Sequence, residues 1–430
     1  MPKIVLIGAG SAIFVRRLLT DVMLSPELED IRIGLMDIDP DGLAVAEKMV
    51  KQLFKAIGRD APVQASTNRK EVLRGADYVI NMIRVGGLDA TIVDAEVPKK
   101  FGLKQTVADT CGVGGVMRGV RTLPHMLAMA RDMEEVCPNA TVLNYTNPMP
   151  MLSLGMTAYT PIRYIGLCHS VQGTSRQLAK YLDVPYDELD YLCGGINHMA
   201  WFIRLEHKGE NLYPRLREFI KDPDNFMKDA VRFEIFRHMG YFHTESSIHA
   251  PEYNAFFMKD DALIERFKIP VEWFRGAIAG TRKTAAEFRA KLDRGEEMEF
   301  KKSNEYASQI IHSMETGQPR VIYGSVLNKG LIDNLPAHSA VEVPCLVGRN
   351  GVQPARVGAL PPQCAAMNTT NILVHQLAAR AVVERNRDHL YHALMFDPCT
   401  SSILNLDEIH QVVDEILEKN AQYFEGVFDA

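Results

Sequence analysis

Lys3-Ile4-Val5-Leu6-Ile7-Gly8-Ala9-Gly10-Ser11 is the stretch on which the fold of this chain turns. Its first five residues read as a strand buried on both faces, as parallel strands are. Gly8 and Gly10 follow at once, and from Ile13 to Leu24 the apolar residues recur with helical spacing. A strand, a glycine turn and a helix in this order let backbone amides approach a pyrophosphate, which rests on the positive end of the helix. Ile13 stands where the usual Gly-x-Gly-x-x-Gly pattern has its third glycine. Asp37 ends the next predicted strand, Ile31 to Met36. A carboxylate there accepts hydrogen bonds from a ribose diol and repels a 2′-phosphate, which favours NAD over NADP. Gly8, Gly10, Ser11 and Asp37 are therefore candidate cofactor-binding residues, while Asp39 and Asp41 read as turn and helix-cap residues.

The same alternation continues along the chain. Apolar runs at Tyr78 to Ile83, Ala140 to Leu143 and Tyr164 to Leu167 end respectively at Arg84, at Asn144-Tyr145-Thr146-Asn147-Pro148 and at Cys168-His169. Helical stretches, including Asp41 to Ile57 and Leu123 to Val136, lie between them. The pattern predicts an α/β fold with a doubly wound, Rossmann-like parallel sheet, whose ligands bind at the carboxyl ends of the strands. Beyond about residue 170, helical stretches mix with strand-like runs at Met199 to Leu205, Arg320 to Val326 and Ala340 to Leu346. They predict a second α/β part closing the active-site crevice. The expected division is a nucleotide-binding domain over 1–170 and a substrate, metal and oligomerisation domain over 171–430. Apolar stripes on Asn371 to Asn386 and Leu406 to Glu418 suit core or subunit contacts, and a dimer or tetramer is expected.

Composition narrows the class. The chain has 430 residues, 47% of them hydrophobic and 24% charged, with a net charge of -6 and no long basic run. That argues against nucleic acid or an anionic membrane as the main partner. No stretch approaches the roughly 18 apolar residues of a membrane span. Seven scattered cysteines read as reduced thiols, so a cytoplasmic protein is expected.

Cys168 and His169 fall where a parallel sheet presents ligand-binding side chains, and Gly195-Ile196-Asn197-His198 follows about 30 residues later. A thiolate with an imidazole suits a borderline divalent metal and leaves positions open for substrate oxygens. By spacing alone a core thiol and a hydrogen-bonded core histidine are the favoured reading over a metal site.

Several motifs occur in one order: Gly8-Ala9-Gly10-Ser11, Ala108-Asp109-Thr110 with Gly112 to Gly115, Asn144 to Pro148, Cys168-His169-Ser170-Val171 and Gly195 to His198. Gly330 to Asn334 and Val341-Glu342-Val343-Pro344 extend the series, which resembles glycoside hydrolase family 4. Cys168-His169-Ser170-Val171, followed by Gln172-Gly173-Thr174, resembles its α-galactosidase (melibiase) branch. The resemblance implies an NAD- and metal-dependent glycosidase outside the two-carboxylate scheme. A hydride would pass from sugar C3 to NAD+, and a divalent cation, manganese as a rule, would bind the C2 and C3 oxygens. A base would then remove the C2 proton, the C1 group would be eliminated, and water addition and re-reduction would follow.

It further implies Cys168 and His198 as metal ligands, Asp109 and Asn147 as substrate-binding residues, and His169 at the position of the acid. Glu245 stands within a residue of the expected C2 base, with His249 a rival and Tyr253 a more distant one. Arg84 and Arg118 are candidates for holding the cofactor or a neighbouring subunit, with surface salt bridges the equal alternative. The expected substrate is an α-galactoside. The alternatives are an α-galacturonide or α-glucoside under the same mechanism, an NAD-dependent 2-hydroxyacid dehydrogenase, and a non-catalytic NAD-binding protein.

Overall fold

In the computed structural model, which describes residues 1–428, the opening segment forms strand β1 (Lys3–Ile7), and all five residues are buried. Five further strands join it in parallel: β2 (Arg32–Met36), β3 (Val63–Ser66), β4 (Tyr78–Asn81), β5 (Thr141–Asn144) and β6 (Arg163–Gly166). Their order across the sheet is β3-β2-β1-β4-β5-β6. This is the doubly wound arrangement expected from the alternation, and it puts every carboxyl end on one edge. The short exposed strand β3 and the helices Gly87–Lys99 and Met149–Tyr159 have no counterpart in the sequence reading.

The second part grows from the same sheet. Strands β7 (Leu189–Ile196), β8 (Met199–His207), β9 (Glu210–Asn211), β10 (Arg320–Leu327), β11 (Ala340–Gly348) and β12 (Gly351–Pro354) pair antiparallel. The junction is β10 against β6, with Ser325 opposite Gly166, and β11 continues to β7, with Glu342 opposite Gly195. Among the described residues the result is one sheet of twelve strands. Its antiparallel half carries the His198 turn up to the end of β6, where Cys168 emerges. No helix among the described residues is long and apolar enough to cross a membrane.

The helix expected from Leu123 begins eleven residues earlier and spans Gly112–Val136. Glycine is a poor helix former, so propensity argues against this start. Packing decides it. A Cβ on Gly115 would lie 2.1 Å from the Thr110 carbonyl carbon, and one on Gly114 would lie 2.4 Å from the Ala108 oxygen. The loop carrying Asp109 therefore folds back flat against the helix start, which only glycine permits. Residues 223–239 form two helices, Pro223–Phe226 and Ala230–Met239.

Arg121, on the Gly112–Val136 helix, has no exposed surface. Its guanidinium donates to both carboxylate oxygens of Asp94 at 3.2 and 2.8 Å, and to the Val85 carbonyl at 3.0 Å. Asn420 adds a hydrogen bond to the same carboxylate. The pair pins the Gly87–Lys99 helix and the C-terminal segment to the body of the fold. Replacing one partner strands the other charge in the interior. Arg121→Met is expected to lower unfolding stability by about 3–5 kcal/mol in urea denaturation, and an unchanged midpoint would disprove the assignment.

Candidate active site

The nucleotide end is built by the first turn of the sheet. Gly8 adopts φ +89°, and a Cβ there would lie 3.0 Å from the Met82 carbonyl. The amides of Gly8 and Ala9 donate to the Met36 oxygen, so the loop is sewn to the end of β2. Gly10 N–H donates to Asp37 Oδ2 at 2.6 Å, and Asp37 Oδ1 accepts from the Asp39 amide at 3.0 Å. Ser11 precedes the Ala12–Met23 helix without capping it through its side chain. Asp39 is the cap of the next helix, as its position suggested, whereas Asp41 lies in that helix's first turn.

Arg84 follows β4 and donates to the Thr91 hydroxyl at 3.2 Å. Burial and the neighbouring Arg118 charge hold its pKa down to about 10, so it stays cationic at neutral pH. Arg118 is not at the surface. It is 6% exposed and donates to Asp109 Oδ2 at 2.8 Å. Burial alone would raise the Asp109 pKa, but Arg118, His249 and the Thr110 hydroxyl outweigh it and bring it to about 2. The carboxylate is therefore a fixed anion.

Beneath it lies a residue the sequence did not single out. Glu252 Oε1 accepts from the amides of Thr106, Val107 and Ala108 at 2.7, 3.0 and 3.1 Å. That nest holds the backbone leading into Asp109. Burial raises the Glu252 pKa to about 7.

Cys168 stands two residues beyond β6, and His198 lies in the two-residue turn between β7 and β8. Asn197 binds the two segments: its Nδ2 donates to Ser170 Oγ and to Glu342 Oε1, both at 3.2 Å. Cys168 and His198 share two acidic neighbours, Glu245 and Glu342. Burial, with Glu342 itself flanked by Cys168, lifts the Glu342 pKa to about 8. Burial and the Glu245 charge also raise that of the Cys168 thiol.

A cation beside this sulfur would reverse that balance and hold the thiolate. The donor set suits such an ion, because Asn197 Oδ1, Glu342 Oε2 and His249 Nδ1 are buried polar atoms with no hydrogen-bond partner among the described residues. No group of three or more histidine, cysteine, aspartate or glutamate side chains among the described residues forms a complete metal cage.

Glu245 and His249 face each other across the loop after β8. The His249 Nε2 lies 3.8 Å from Glu245 Oε2, and its ring centre lies 5.0 Å from that of His198. Glu245 sits at φ +80°, a conformation that non-glycine residues rarely adopt. Burial opposes its charge, yet His249 and His198 prevail and its pKa is lowered, leaving a carboxylate that can take a proton.

His169 is half-exposed and bonded through Nε2 to Glu305 Oε2 at 2.7 Å. That bond raises its pKa, which favours the protonated ring. Glu305, which also contacts Arg17 at 3.3 Å, is buried and precedes the Tyr306–Thr316 helix. Tyr145 links Phe14 of the first helix to His169 through ring contacts of 5.0 and 6.1 Å. These contacts join the nucleotide end to the Cys168 end of the crevice. Asn147, partly buried, has no hydrogen-bond partner among the described residues.

A Rossmann-type sheet with thiol, imidazole and carboxylate groups gathered at its carboxyl edge has the layout of a nucleotide-dependent enzyme. The family model described as family 4 glycosyl hydrolase matches residues 3–184, and that of the family 4 glycosyl hydrolase C-terminal domain matches residues 193–400. The chain belongs to glycoside hydrolase family 4 and is a glycosidase. Among its relatives is an alpha-galactosidase of Bacillus subtilis (strain 168), 39% identical over 98% of this chain and 99% of the relative. An alpha-galactosidase of Rhizobium meliloti (strain 1021) is 33% identical over 98% of this chain and 89% of its own. A solved 6-phospho-alpha-glucosidase from gut microorganisms, in complex with NAD and Mn2+, shares the fold at a TM-score of 0.82, with 22% identity and 98% coverage of each chain.

Glu305→Gln removes the charge that stabilises the His169 imidazolium. The His169 pKa is expected to fall toward the ordinary histidine value, read from the ring-proton shifts in an NMR titration. The raised histidine pKa contributes stability at low pH that is lost as pH rises through it. The lowered Glu305 pKa contributes stability that is lost as pH falls through the carboxylate range. The ion pair therefore acts between those limits, and an unmoved His169 titration would refute it.

Proposed function

We propose that this glycosidase hydrolyses α-galactosides, with NAD and a divalent cation, Mn2+ by preference, as resident cofactors. The supporting observation is the gathering of Asp109, His249, Glu245, Cys168 and His198 around shared neighbours. The Bacillus and Rhizobium relatives favour the galactoside. When bound, the dinucleotide supplies a reversible hydride acceptor for sugar C3, and the cation supplies Lewis acidity, which together make the C2 proton removable.

The chain's own residues do the rest. Gly8, Gly10 and Ser11 bring their backbone to the dinucleotide diphosphate, Asp37 takes the ribose diol and Arg84 neutralises nearby anionic charge. Cys168 and His198 hold the cation. Asp109, kept ionised by Arg118, and Asn147, with an unclaimed amide, grip sugar hydroxyls. Glu245 takes the C2 proton, with His249 3.8 Å away to accept or orient it. His169, charged through Glu305, gives a proton to the departing C1 oxygen.

Residues 1–170 act in this reading as the nucleotide-binding part and 171–430 as the part for substrate, metal and subunit contacts. An apolar groove lined by Leu154, Tyr159, Leu373, Leu377 and Phe396 supports a homo-oligomer, and the seven free thiols suit the cytoplasm.

A panel of p-nitrophenyl glycosides tests the proposal. With NAD+, Mn2+ and a thiol reductant, release is expected from the α-galactoside, without net NADH, and deuterium at C2 or C3 is expected to slow it. Faster release from the α-galacturonide or α-glucoside overturns the glycone, and activity surviving removal of both NAD and metal overturns the chemistry. Cys168→Ser is expected to lose about 100-fold or more in turnover, while binding NAD as the parent does by fluorescence. Retained turnover would exclude the thiol as a ligand.

A further inference from the structure

At φ +80°, Glu245 holds a backbone conformation that a non-glycine residue keeps only where its surroundings over-determine it. The residues before it are settled by β8. Phe202 N–H donates to the Phe242 carbonyl at 2.9 Å, Thr244 N–H to that of Ala200 at 2.8 Å, and Ala200 N–H to the Thr244 hydroxyl at 3.1 Å. The chain leaves the strand there and turns at Glu245. Thr174 holds that turn. It belongs to the Gln172-Gly173-Thr174 motif and has no part in the scheme above. It is 2% exposed and lies on the Ser170–Tyr181 helix, which starts two residues after Cys168.

The Thr174 hydroxyl meets both backbone groups of Glu245. The Glu245 N–H donates to Oγ1 at 3.1 Å, and Oγ1 lies 3.4 Å from the Glu245 carbonyl oxygen. Arg232 Nη1 donates to the same hydroxyl at 3.2 Å. Amide and guanidinium groups only donate and a carbonyl only accepts. The single hydroxyl proton therefore goes to the Glu245 carbonyl, and the two lone pairs take the N–H groups. Arg232, 1% exposed, is itself fixed: Nε donates to Asp229 Oδ1 at 3.0 Å, Nη2 to Asp229 Oδ2 and Gln177 Oε1, and Nη1 also to the His243 carbonyl at 3.4 Å. Beyond Glu245, the Ser247 hydroxyl accepts from the Arg232 backbone N–H at 3.2 Å and donates to Asp229 Oδ1. One buried ion pair thus grips residues 243 and 247, and Thr174 grips residue 245 between them.

We propose that Thr174 and the Asp229–Arg232 pair are positioning residues that hold Glu245 where it takes the C2 proton. The inference rests on reading Glu245 as that base. A side chain attached to a strained backbone keeps its place only while the backbone is clamped, and the hydroxyl clamps it at both the N–H and the carbonyl. Thr174 rides on the helix that follows Cys168, so the base loop is tied to the segment that carries the thiol.

Kinetics of the NAD- and Mn2+-loaded enzyme test it, on the p-nitrophenyl glycoside it cleaves fastest. Thr174→Val keeps the shape of the side chain without its hydroxyl. It is expected to lower kcat about 100-fold with KM little changed. The C2-deuterium isotope effect is expected to rise and the C3 effect to fall, because proton removal becomes the slower step. Thr174→Ser, which keeps the hydroxyl, is expected to recover most of the loss. A variant that was merely less stable would lower the active fraction and leave both isotope effects where they are.

Circular dichroism and thermal unfolding identify the folded variants. If Thr174→Val is not folded, Ser247→Ala decides, since it frees only the far end of the loop. Its C2 isotope effect is also expected to rise, and an unchanged one overturns the inference. In folded Thr174→Val, parent turnover overturns it, as does a loss with the parent's isotope effects. A Thr174→Ser enzyme as slow as Thr174→Val overturns it too. Glu245→Gln separates the two levels. If it turns over as the parent does, the base assignment fails and the inference with it. If Glu245→Gln is slow and folded Thr174→Val is not, only the role of Thr174 is overturned.

Discussion

One side-chain amide holds the Cys168 end of the crevice together. Asn197 Nδ2 reaches Ser170, just past β6, and Glu342, on β11, each at 3.2 Å, while its own backbone forms the turn from β7 to β8. Cys168 precedes Ser170 by two residues and His198 follows Asn197 directly. A thiol from the parallel half of the sheet and an imidazole from the antiparallel half are thereby fastened to a common support. All three partners are buried, so the bonds are made in a medium that strengthens them and penalises their loss. The carbonyl oxygen of that amide and the second oxygen of Glu342 are buried and have no hydrogen-bond partner among the described residues.

Around this support the charges are arranged by opposition between burial and neighbours. Burial acts against every charged group in the crevice, yet the outcome differs from residue to residue. Asp109 stays ionised because Arg118 lies 2.8 Å away. Glu245 stays ionised because two histidines face it. Glu342 and Glu252 lack a comparable cation in direct contact, and burial wins, raising them to about 8 and about 7. Glu305 raises the His169 pKa and so favours its protonated ring, and is tied in turn to Arg17 on the first helix. Carboxyl groups of one crevice thus differ in how readily they hold a proton, which acid–base chemistry requires.

Backbone close approach is the second device. Gly8, Gly114 and Gly115 each stand where a side chain would strike a neighbouring carbonyl group. At Gly8 this presses the nucleotide loop onto the end of β4. At Gly114 and Gly115 it presses the Asp109 loop onto a helix, with Glu252 closing that loop from below through three amides. The loop cannot relax outward without exposing those amides or unpairing a buried carboxyl group.

By itself the sequence determined the strand–glycine–helix start, the alternation behind the parallel sheet, the position of Asp37 and the ordered motifs naming Cys168, His198, Asp109 and Asn147. These are local or sequential properties: period, turn chemistry and residue order survive in one dimension. Glu305, Glu252 and Arg121 carried no such signal, and the motif that holds Glu342 did not give it a role, since each acts on a residue distant along the chain. Only the tertiary structure decided them, because hydrogen bonding and desolvation depend on distances that folding creates. The helix start at Gly112 went the same way: propensity, a local quantity, pointed against it, and packing against residues 108–110 overruled it.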